Sequence, residues 1–213
     1  MTTGQNNTDP RTAYAQLLES AQLQPDPRQS DVVDKLQDLH LRLLASAEVP
    51  QEQGGGFFSS LFKRPAAVNE KRPVKGIYLW GGVGRGKTLL CDMFYASLPT
   101  TKKKRVHFHR FMQSVHDQLS DIKQAESPLE IVAQNLADEC NVLVLDEMHV
   151  NDITDAMLMG GLLQGLFKRG VTLVTTSNIE PDGLYKDGLQ RARFLPAIAV
   201  SYTHLTLPTI YSV

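Results

Sequence analysis

The sequence predicts an α/β fold, a mainly parallel sheet of about five strands with helices on both faces. Two apolar runs, 142–145 and 171–176, have the length and the β-branched composition of buried parallel strands. A third run, 76–80, leads directly into a glycine-rich loop that is followed by a helical pattern. Strand, loop and helix in that order are the context in which such a loop binds phosphate.

The glycine-rich loop satisfies every position of the phosphate-binding pattern G-x-x-x-x-G-K-[ST]; its residues are Gly81, Gly82, Val83, Gly84, Arg85, Gly86, Lys87 and Thr88. Its glycines predict positive φ angles and a backbone that approaches an anion closely. The anion would lie at the positive end of the following helix, where Leu89 belongs to the predicted nucleotide contacts. We expect Lys87 to contact the β- and γ-phosphates of a nucleoside triphosphate and the Thr88 hydroxyl to bind Mg²⁺.

Composition limits the class of protein. With 213 residues, 42% of them hydrophobic and 21% charged, the chain is typical of one globular domain. A formal net charge of -1 argues against a general attraction to nucleic acid. For the dense basic run 102–105, a solvated turn before a strand is favoured over a contact to nucleic acid. Two cysteines without a paired framework, a polar N-terminus and the absence of a long apolar run predict a reducing, cytoplasmic location.

Two helices are predicted before the first strand. Residues 1–11 are polar and are expected to be a disordered tail. Within 12–73, helical spacing predicts one helix over 13–21 and a second helix that Asp26 caps with Pro27 at its first position. Gln29 then has two interpretations, a contact to the adenine base or a solvent-facing side chain.

A loop rich in glycine and phenylalanine follows the second helix. Its apolar residues are Phe57, Phe58, Leu61 and Phe62, and two cations follow them. This combination is typical of a short amphipathic turn that contacts a partner or a peripheral membrane surface. The alternative is that the aromatic side chains pack back onto the domain.

We assign 74–199 to the nucleotide-binding core. Alternation over 105–109 predicts a strand with two histidines on one face. Because no cysteine or acidic residue completes a ligand set with these histidines, a structural or substrate-side role is favoured over metal binding. Ser127 is expected to cap a helix that begins at Pro128.

Two carboxylates, Asp146 and Glu147, come directly after the strand 142–145. Parallel strands present their carboxyl ends at the ligand-binding edge of a sheet. We expect Asp146 to hold Mg²⁺ through water and Glu147 to orient or deprotonate the attacking water. Asn178, at the tip of the strand that begins at Val171, is predicted to sense the γ-phosphate rather than to belong to a plain turn.

Several longer segments resemble the AFG-like ATPases, and in particular their bacterial cell-division members. The segments are 107–109, 145–157, 176–181, 184–185 and 188–196, and the resemblance covers roughly residues 12–199. It implies an AAA+ core, hydrolysis of ATP with Mg²⁺ and self-association into an oligomer. It also implies association with the division ring through the tubulin-like protein FtsZ.

The resemblance carries functional roles onto matching positions: Lys87 and Thr88 in the phosphate loop, Asp146 and Glu147 as the acidic pair, and Asn178 as the sensor. In such ATPases an arginine beyond the sensor reaches into a neighbouring subunit as a finger. Arg191 or Arg193 occupies the matching region. The alternative for either arginine is a surface ion pair.

The last segment, 200–213, does not resemble the family. Family members continue into a helical lid domain, whereas this sequence departs from them near Ala199. Residues 200–205 also correspond to one translated frame of a common transposon-based sequencing adapter. We therefore expect a non-native tail and a missing lid, which predicts weak ATP binding or no activity for this chain.

Three functions remain open at this point. The leading one is an oligomeric ATPase that remodels a protein partner. A replication initiator or helicase loader that acts on DNA has the same core, but the near-neutral charge and the absence of a basic module count against it. A nucleotide-binding scaffold without turnover is disfavoured by Glu147, because a pure switch does not need a carboxylate that activates water.

Overall fold

The computed structural model describes residues 8–48, 73–122 and 125–210. The amphipathic turn predicted at 57–62 lies outside these residues, and so do the first seven residues of the predicted disordered tail.

The described residues form helices and strands in alternation after an initial pair of helices. The helices are α1 (Pro10–Glu19), α2 (Pro27–Glu48), α3 (Lys87–Ser97), α4 (Phe108–Asp121), α5 (Pro128–Glu139), α6 (Ile153–Lys168) and α7 (Leu195–His204). The strands are β1 (Gly76–Gly81), β2 (Lys103–His107), β3 (Val142–Asp146), β4 (Thr172–Ser177), β5 (Leu205–Thr206) and β6 (Thr209–Ile210). Two 3₁₀ turns, Pro181–Gly183 and Arg191–Arg193, lie between β4 and α7.

The strands form one parallel sheet in the order β2-β3-β4-β1-β5, and β6 also pairs with β1. The predicted α/β fold with a mainly parallel sheet is confirmed. The prediction did not include the strand order, in which β4 lies between β1 and β3. The carboxyl ends of these three neighbouring strands carry the phosphate loop, Asn178 and the acidic pair.

The sheet separates two apolar cores. Along β3, Leu143 and Leu145 pack into the core beneath α4 to α7, whereas Val142 and Val144 pack into the core beneath α1 to α3. All four side chains are almost completely buried. Because successive residues of a strand face opposite sides, a strand buried on both sides is favoured by a nearly continuous apolar run such as 142–145.

The two N-terminal helices complete the second core. Pro27 begins α2 as predicted, and the Asp26 carboxylate accepts a hydrogen bond from the Arg28 backbone N–H at 2.9 Å. Helix α1 begins at Pro10, inside the segment expected to be disordered. The reason is that Asp9 accepts backbone hydrogen bonds from Arg11 and Thr12, both at 3.1 Å, and so caps the helix.

The interpretation of 102–105 as a solvated turn is wrong, because Lys103 to Arg105 belong to β2. The Lys103 ammonium donates to the carbonyl oxygens of Tyr95 and Leu98 at 2.7 and 2.9 Å. These carbonyls lie at the end of α3, where no further helical N–H is available to them. The strand therefore begins two residues earlier than predicted, and its basic residues contact the rest of the domain.

Two further boundaries differ from the prediction. The strand predicted over 105–109 ends at His107, because Phe108 begins α4 and its side chain is buried in the core. Helix α5 begins at Pro128 as predicted, but the Ser127 side chain makes no capping hydrogen bond. Its backbone carbonyl instead accepts from the Glu130 N–H at 3.2 Å.

Helix α7 continues to His204, past the position where the family resemblance was expected to stop. Leu205 is 1% exposed and pairs with Gly76 of β1. Packing does not reveal the origin of a segment, and so the non-native tail stays a prediction. Among the described helices, none combines the length and the hydropathy that a bilayer crossing requires.

Replacing Leu36 by alanine should lower the free energy of unfolding by about 2–5 kcal/mol, because a fully buried leucine is removed from a packed core. Leu36 is 0% exposed, whereas Leu41 on the same helix is 54% exposed. The matched Leu41→Ala change should cost less than about 0.5 kcal/mol. Urea unfolding of both variants measures the difference, and equal effects would show that α2 is not packed on the core.

Candidate nucleotide-binding site

A pocket lies at the carboxyl edge of β1, β3 and β4. Its lining consists of Val83, Gly84, Arg85, Gly86, Lys87, Thr88, Glu147, Thr176, Ser177 and Asn178. The fold thus brings most of the predicted site residues to one place. Of the other predicted positions, Gly81, Gly82, Leu89, Gln29, Asp146, Arg191 and Arg193 are not part of this lining.

The phosphate loop has the backbone conformation that its glycines predict, with one exception. The φ angles of Gly81, Gly84 and Gly86 are 147°, 77° and 82°. Gly82 is not among the positive-φ glycines, so the prediction of positive φ at all four was wrong there. The loop turns through the other three positions, and Gly82 instead offers its carbonyl to Lys87.

The space beside the loop differs between two of these glycines. A Cβ atom at Gly84 would meet no heavy atom within 4 Å, whereas one at Gly86 would lie 2.9 Å from Gln29 Nε2. Glycine at 84 is therefore required by backbone conformation and leaves an open approach for a ligand. At 86, both the conformation and the neighbouring side chain require it.

Lys87, at the start of α3, is buried to 9% exposure and uses all three of its donors. Its ammonium donates to the carbonyl oxygens of Gly81 and Gly82, each at 2.7 Å, and to Asn178 Oδ1 at 3.0 Å. Burial lowers the pKa of Lys87, and the nearby Glu147 carboxylate opposes this effect. The predicted phosphate-binding lysine and the predicted sensor are in direct contact.

Glu147 lines the pocket from a backbone conformation that few non-glycine residues adopt, with φ at 57°. Its N–H donates to Thr176 Oγ1 at 2.9 Å. The next residue, Met148, donates its N–H to the Thr176 carbonyl and accepts from Ser177 Oγ, both at 2.7 Å. Strand β4 therefore holds the strained turn that directs Glu147.

Thr176 and Ser177 were missed as site residues by the sequence analysis. Their signal was present, because two hydroxyl side chains follow the apolar part of a buried strand and precede Asn178. Both are buried, and buried hydroxyl groups need hydrogen-bond partners. A strand tip beside two carboxylates supplies such partners.

Asp146 ends β3 and is 7% exposed. Arg105 of β2 binds both carboxylate oxygens, with Nε to Oδ2 at 2.7 Å and Nη2 to Oδ1 at 3.3 Å. The remaining terminal nitrogen of Arg105 donates to Asp92 of α3. Arg105 was also missed as a site residue, although the sequence analysis placed it at the start of a strand, because its basic neighbours suggested a solvated side chain.

Gln29 is 9% exposed, so the solvent-facing interpretation is wrong. Its Nε2 donates to the Arg85 carbonyl at 3.2 Å, and its Oε1 accepts from the Tyr14 hydroxyl at 3.4 Å. The amide therefore contacts the phosphate loop from behind. Leu89 is half-buried and packs against the core beneath α1 to α3.

The two candidate finger arginines lie in the 3₁₀ turn Arg191–Arg193, and neither belongs to the pocket lining. Arg191 Nη2 donates to the Asp182 carbonyl at 2.5 Å, and the side chain is half-buried. Arg193 is exposed, and within the described ranges its side chain has no hydrogen bond or ion pair. Of the two, Arg193 is the one that a neighbouring molecule could contact.

The residues present fit a magnesium nucleotide. A lysine ammonium, a glycine-lined backbone and a helix N-terminus suit phosphates, and the Thr88 hydroxyl and the Asp146 carboxylate are hard oxygen donors of the kind that Mg²⁺ prefers. The part of the chain that the structure describes holds no group of three or more metal-ligating His, Cys, Asp or Glu side chains. His116 of α4 pairs with Asp155 of α6 at 2.7 Å.

Comparison with solved structures supports the fold. DnaI aligns with a TM-score of 0.55 and 16% identity, covering 89% of each chain. The DnaC helicase loader aligns with a TM-score of 0.55 and 13% identity, covering 98% of this chain and 99% of that one. At such identities the likeness concerns the P-loop α/β architecture alone.

Comparison of sequences is more specific. The family model described as AFG1-like ATPase matches residues 8–212. The cell division protein ZapE of Escherichia coli K12 is 47% identical over 197 residues, which cover 92% of this chain and 52% of that protein. The chain thus spans about half the length of this relative. It belongs to the AFG1-like ATPase family.

Proposed function

We propose that the chain is the nucleotide-binding core of an AAA+ ATPase that hydrolyses ATP with Mg²⁺ and couples this to the remodelling of a protein partner. One observation carries the proposal: Lys87 and Asn178 are hydrogen-bonded to each other in a pocket that Glu147 also lines. These are a phosphate-binding cation, an amide sensor and a carboxylate. Lys87 follows β1, Glu147 follows β3 and Asn178 follows β4, so the three groups meet at one edge of the sheet. Catalysis of phosphoryl transfer depends on such positioning and on charge.

Each residue has a distinct task in this proposal. The phosphate loop and Lys87 bind the triphosphate, and Lys87 exchanges protein contacts for phosphate oxygens as it does so. Thr88 and Asp146 would hold Mg²⁺, which supplies positive charge to the β- and γ-phosphates. Glu147 accepts a proton from, or orients, the attacking water. Asn178 detects the exchange at Lys87 because the two side chains share a hydrogen bond.

Replacing Glu147 by glutamine should reduce ATP hydrolysis by about 10²–10⁴-fold and leave ATP binding intact, because only proton transfer to the side chain is lost. Phosphate release and ATP binding are measured on this chain and on a version extended by a family-type lid. Glu180→Gln is the matched control, since Glu180 is exposed and outside the pocket lining.

Two outcomes contradict this assignment. Undiminished hydrolysis by the Glu147→Gln protein would show that another group activates water. Binding of ATP without turnover by both parent proteins would favour the nucleotide-dependent scaffold instead.

We propose that Gln29 positions the phosphate loop rather than recognising adenine. Both ends of its amide are engaged, one with the Arg85 carbonyl and the other with the Tyr14 hydroxyl. The Arg85 peptide lies between two positive-φ glycines. A part-buried hydrogen bond to this carbonyl therefore opposes relaxation of the loop.

Gln29→Ala should weaken the binding of ATP and of GTP by a similar factor, about 5–10-fold for the loss of one hydrogen bond to the loop. Equilibrium binding of both nucleotides measures this, with the exposed Gln24→Ala as control. A selective loss of ATP binding would instead support the adenine contact.

We propose that Arg193 acts as the finger of an oligomer. It is exposed, whereas Arg191 is bound to its own subunit through the Asp182 carbonyl. An arginine that completes the site of a neighbouring subunit does not need to line the pocket of its own subunit. Arg193 is not part of that lining.

Arg193→Ala should reduce the rate of ATP hydrolysis by about 10³-fold or more, which is the effect typical of removing an arginine finger. Its binding of ATP should be unchanged. Mixing it with Glu147→Gln protein should restore phosphate release, because the second protein supplies Arg193 to sites whose Glu147 is intact. The exposed Lys186→Ala change is the control. A mixture that stays inactive contradicts a role in the neighbouring subunit.

We propose a role in cell division, with FtsZ as the partner and a cytoplasmic location. The support is the 47% identity to a protein named for cell division, together with the family resemblance. Sedimentation with FtsZ polymers, with and without ATP, tests the partner, and a chain that stays in the supernatant in both conditions excludes it.

Contact of 57–62 with a peripheral membrane surface remains part of the proposal.

A further inference from the structure

Arg105 joins the two elements that carry the magnesium ligands in the proposed function. Asp146 ends β3, and Thr88 lies in the first turn of α3. Arg105 binds the Asp146 carboxylate through two nitrogens and the Asp92 carboxylate through a third. We call these three side chains, Asp92, Arg105 and Asp146, the Arg105 bridge.

The helix geometry connects the bridge to Thr88. Residues four apart on a helix lie on the same face, and Asp92 is four residues after Thr88. A fixed position of Asp92 therefore fixes the face from which the Thr88 hydroxyl projects. Thr88 lines the pocket, whereas Asp92 stands on the next turn.

The strand register explains why Arg105 reaches Asp146. Arg105 is opposite Val144, and His107 is opposite Asp146. Arg105 therefore contacts Asp146 on the diagonal, within reach of a long side chain. The side chain of Arg105 is 18% exposed and that of Asp146 is 10% exposed, so the pair is largely shielded from water.

Within the described ranges, Asp146 has no other side-chain partner. A buried carboxylate without its counter-ion destabilises the folded state. Without a partner, its orientation is also not fixed. A planar guanidinium that binds both oxygens fixes the orientation of the carboxylate, which an ammonium cannot do.

We propose that Arg105 is a positioning residue that holds Asp146 and, through Asp92, the Thr88 turn in the relative placement required for binding Mg²⁺. The inference rests on the proposed function and deepens it. Residues that orient metal ligands from behind typically change metal affinity about 10–100-fold when replaced.

The test uses the full chain, the fluorescent analogue mant-ATP and a titration of MgCl₂. Arg105→Gln should raise the Mg²⁺ concentration for half-maximal nucleotide binding about tenfold or more. Its affinity for mant-ATP in excess EDTA should change less than about twofold, because the phosphate loop is intact. Arg105→Lys should also require more Mg²⁺, because an ammonium cannot bind both oxygens of Asp146 in a fixed plane. Asp92→Asn should require about threefold more Mg²⁺, because its ion pair with Arg105 is lost.

Lys104→Gln is the matched control, because Lys104 immediately precedes Arg105 in β2 and makes an exposed ion pair with Glu139 at 2.5 Å. It should leave the Mg²⁺ requirement unchanged. Thermal unfolding of the nucleotide-free proteins gives a second readout, in which Arg105→Gln should lower the midpoint and Lys104→Gln should not.

Several outcomes overturn the proposal. An unchanged or reduced Mg²⁺ requirement in Arg105→Gln would show that Arg105 is structural or competes with the metal. Recovery of the parent value by Arg105→Lys would show that charge alone suffices. If Arg105→Gln does not fold, Asp92→Asn decides, and an unchanged Mg²⁺ requirement there overturns the bridge. A parent protein that binds mant-ATP equally with and without Mg²⁺ would instead overturn the proposed function and the bridge with it.

Discussion

The parallel pairing of β4 between β1 and β3 is the constraint on which the site depends. It places three carboxyl ends at one edge of the sheet, and those of β1 and β3 lead directly into turns. The turns use unusual backbone at Gly84, Gly86 and Glu147, all with positive φ. Such conformations persist only where surrounding contacts determine them, and here β4 supplies several of those contacts.

Burial at this edge also explains its hydroxyl side chains. Thr175 Oγ1 donates to the Leu145 carbonyl at 2.9 Å, and the Tyr78 hydroxyl donates to the Ile179 carbonyl at 2.9 Å. Each bond links a strand to its neighbour or to a connecting loop, in a place that water reaches poorly. Burial raises the pKa of Tyr78, so this hydroxyl remains a donor over the physiological range.

Local patterns in the sequence were sufficient for much of the fold and of the site. Glycine spacing, apolar runs and the position of Asp146 and Glu147 each depend on neighbours in the chain, and the prediction of the fold that rested on them was confirmed. The surroundings of Gln29 and Arg105 could not be predicted in this way. Gln29 contacts Arg85, 56 residues away, and Arg105 contacts Asp146, 41 residues away. Such contacts depend on which strands and helices become neighbours, and local spacing carries no information about that.

The basic strand β2 has a consequence for assembly. It forms one edge of the sheet, where unpaired backbone groups could accept a strand from a second copy. Lys103, Lys104 and Arg105 follow one another along this edge, and each already has a partner within the domain. Basic residues along a sheet edge disfavour the growth of the sheet from one molecule into the next.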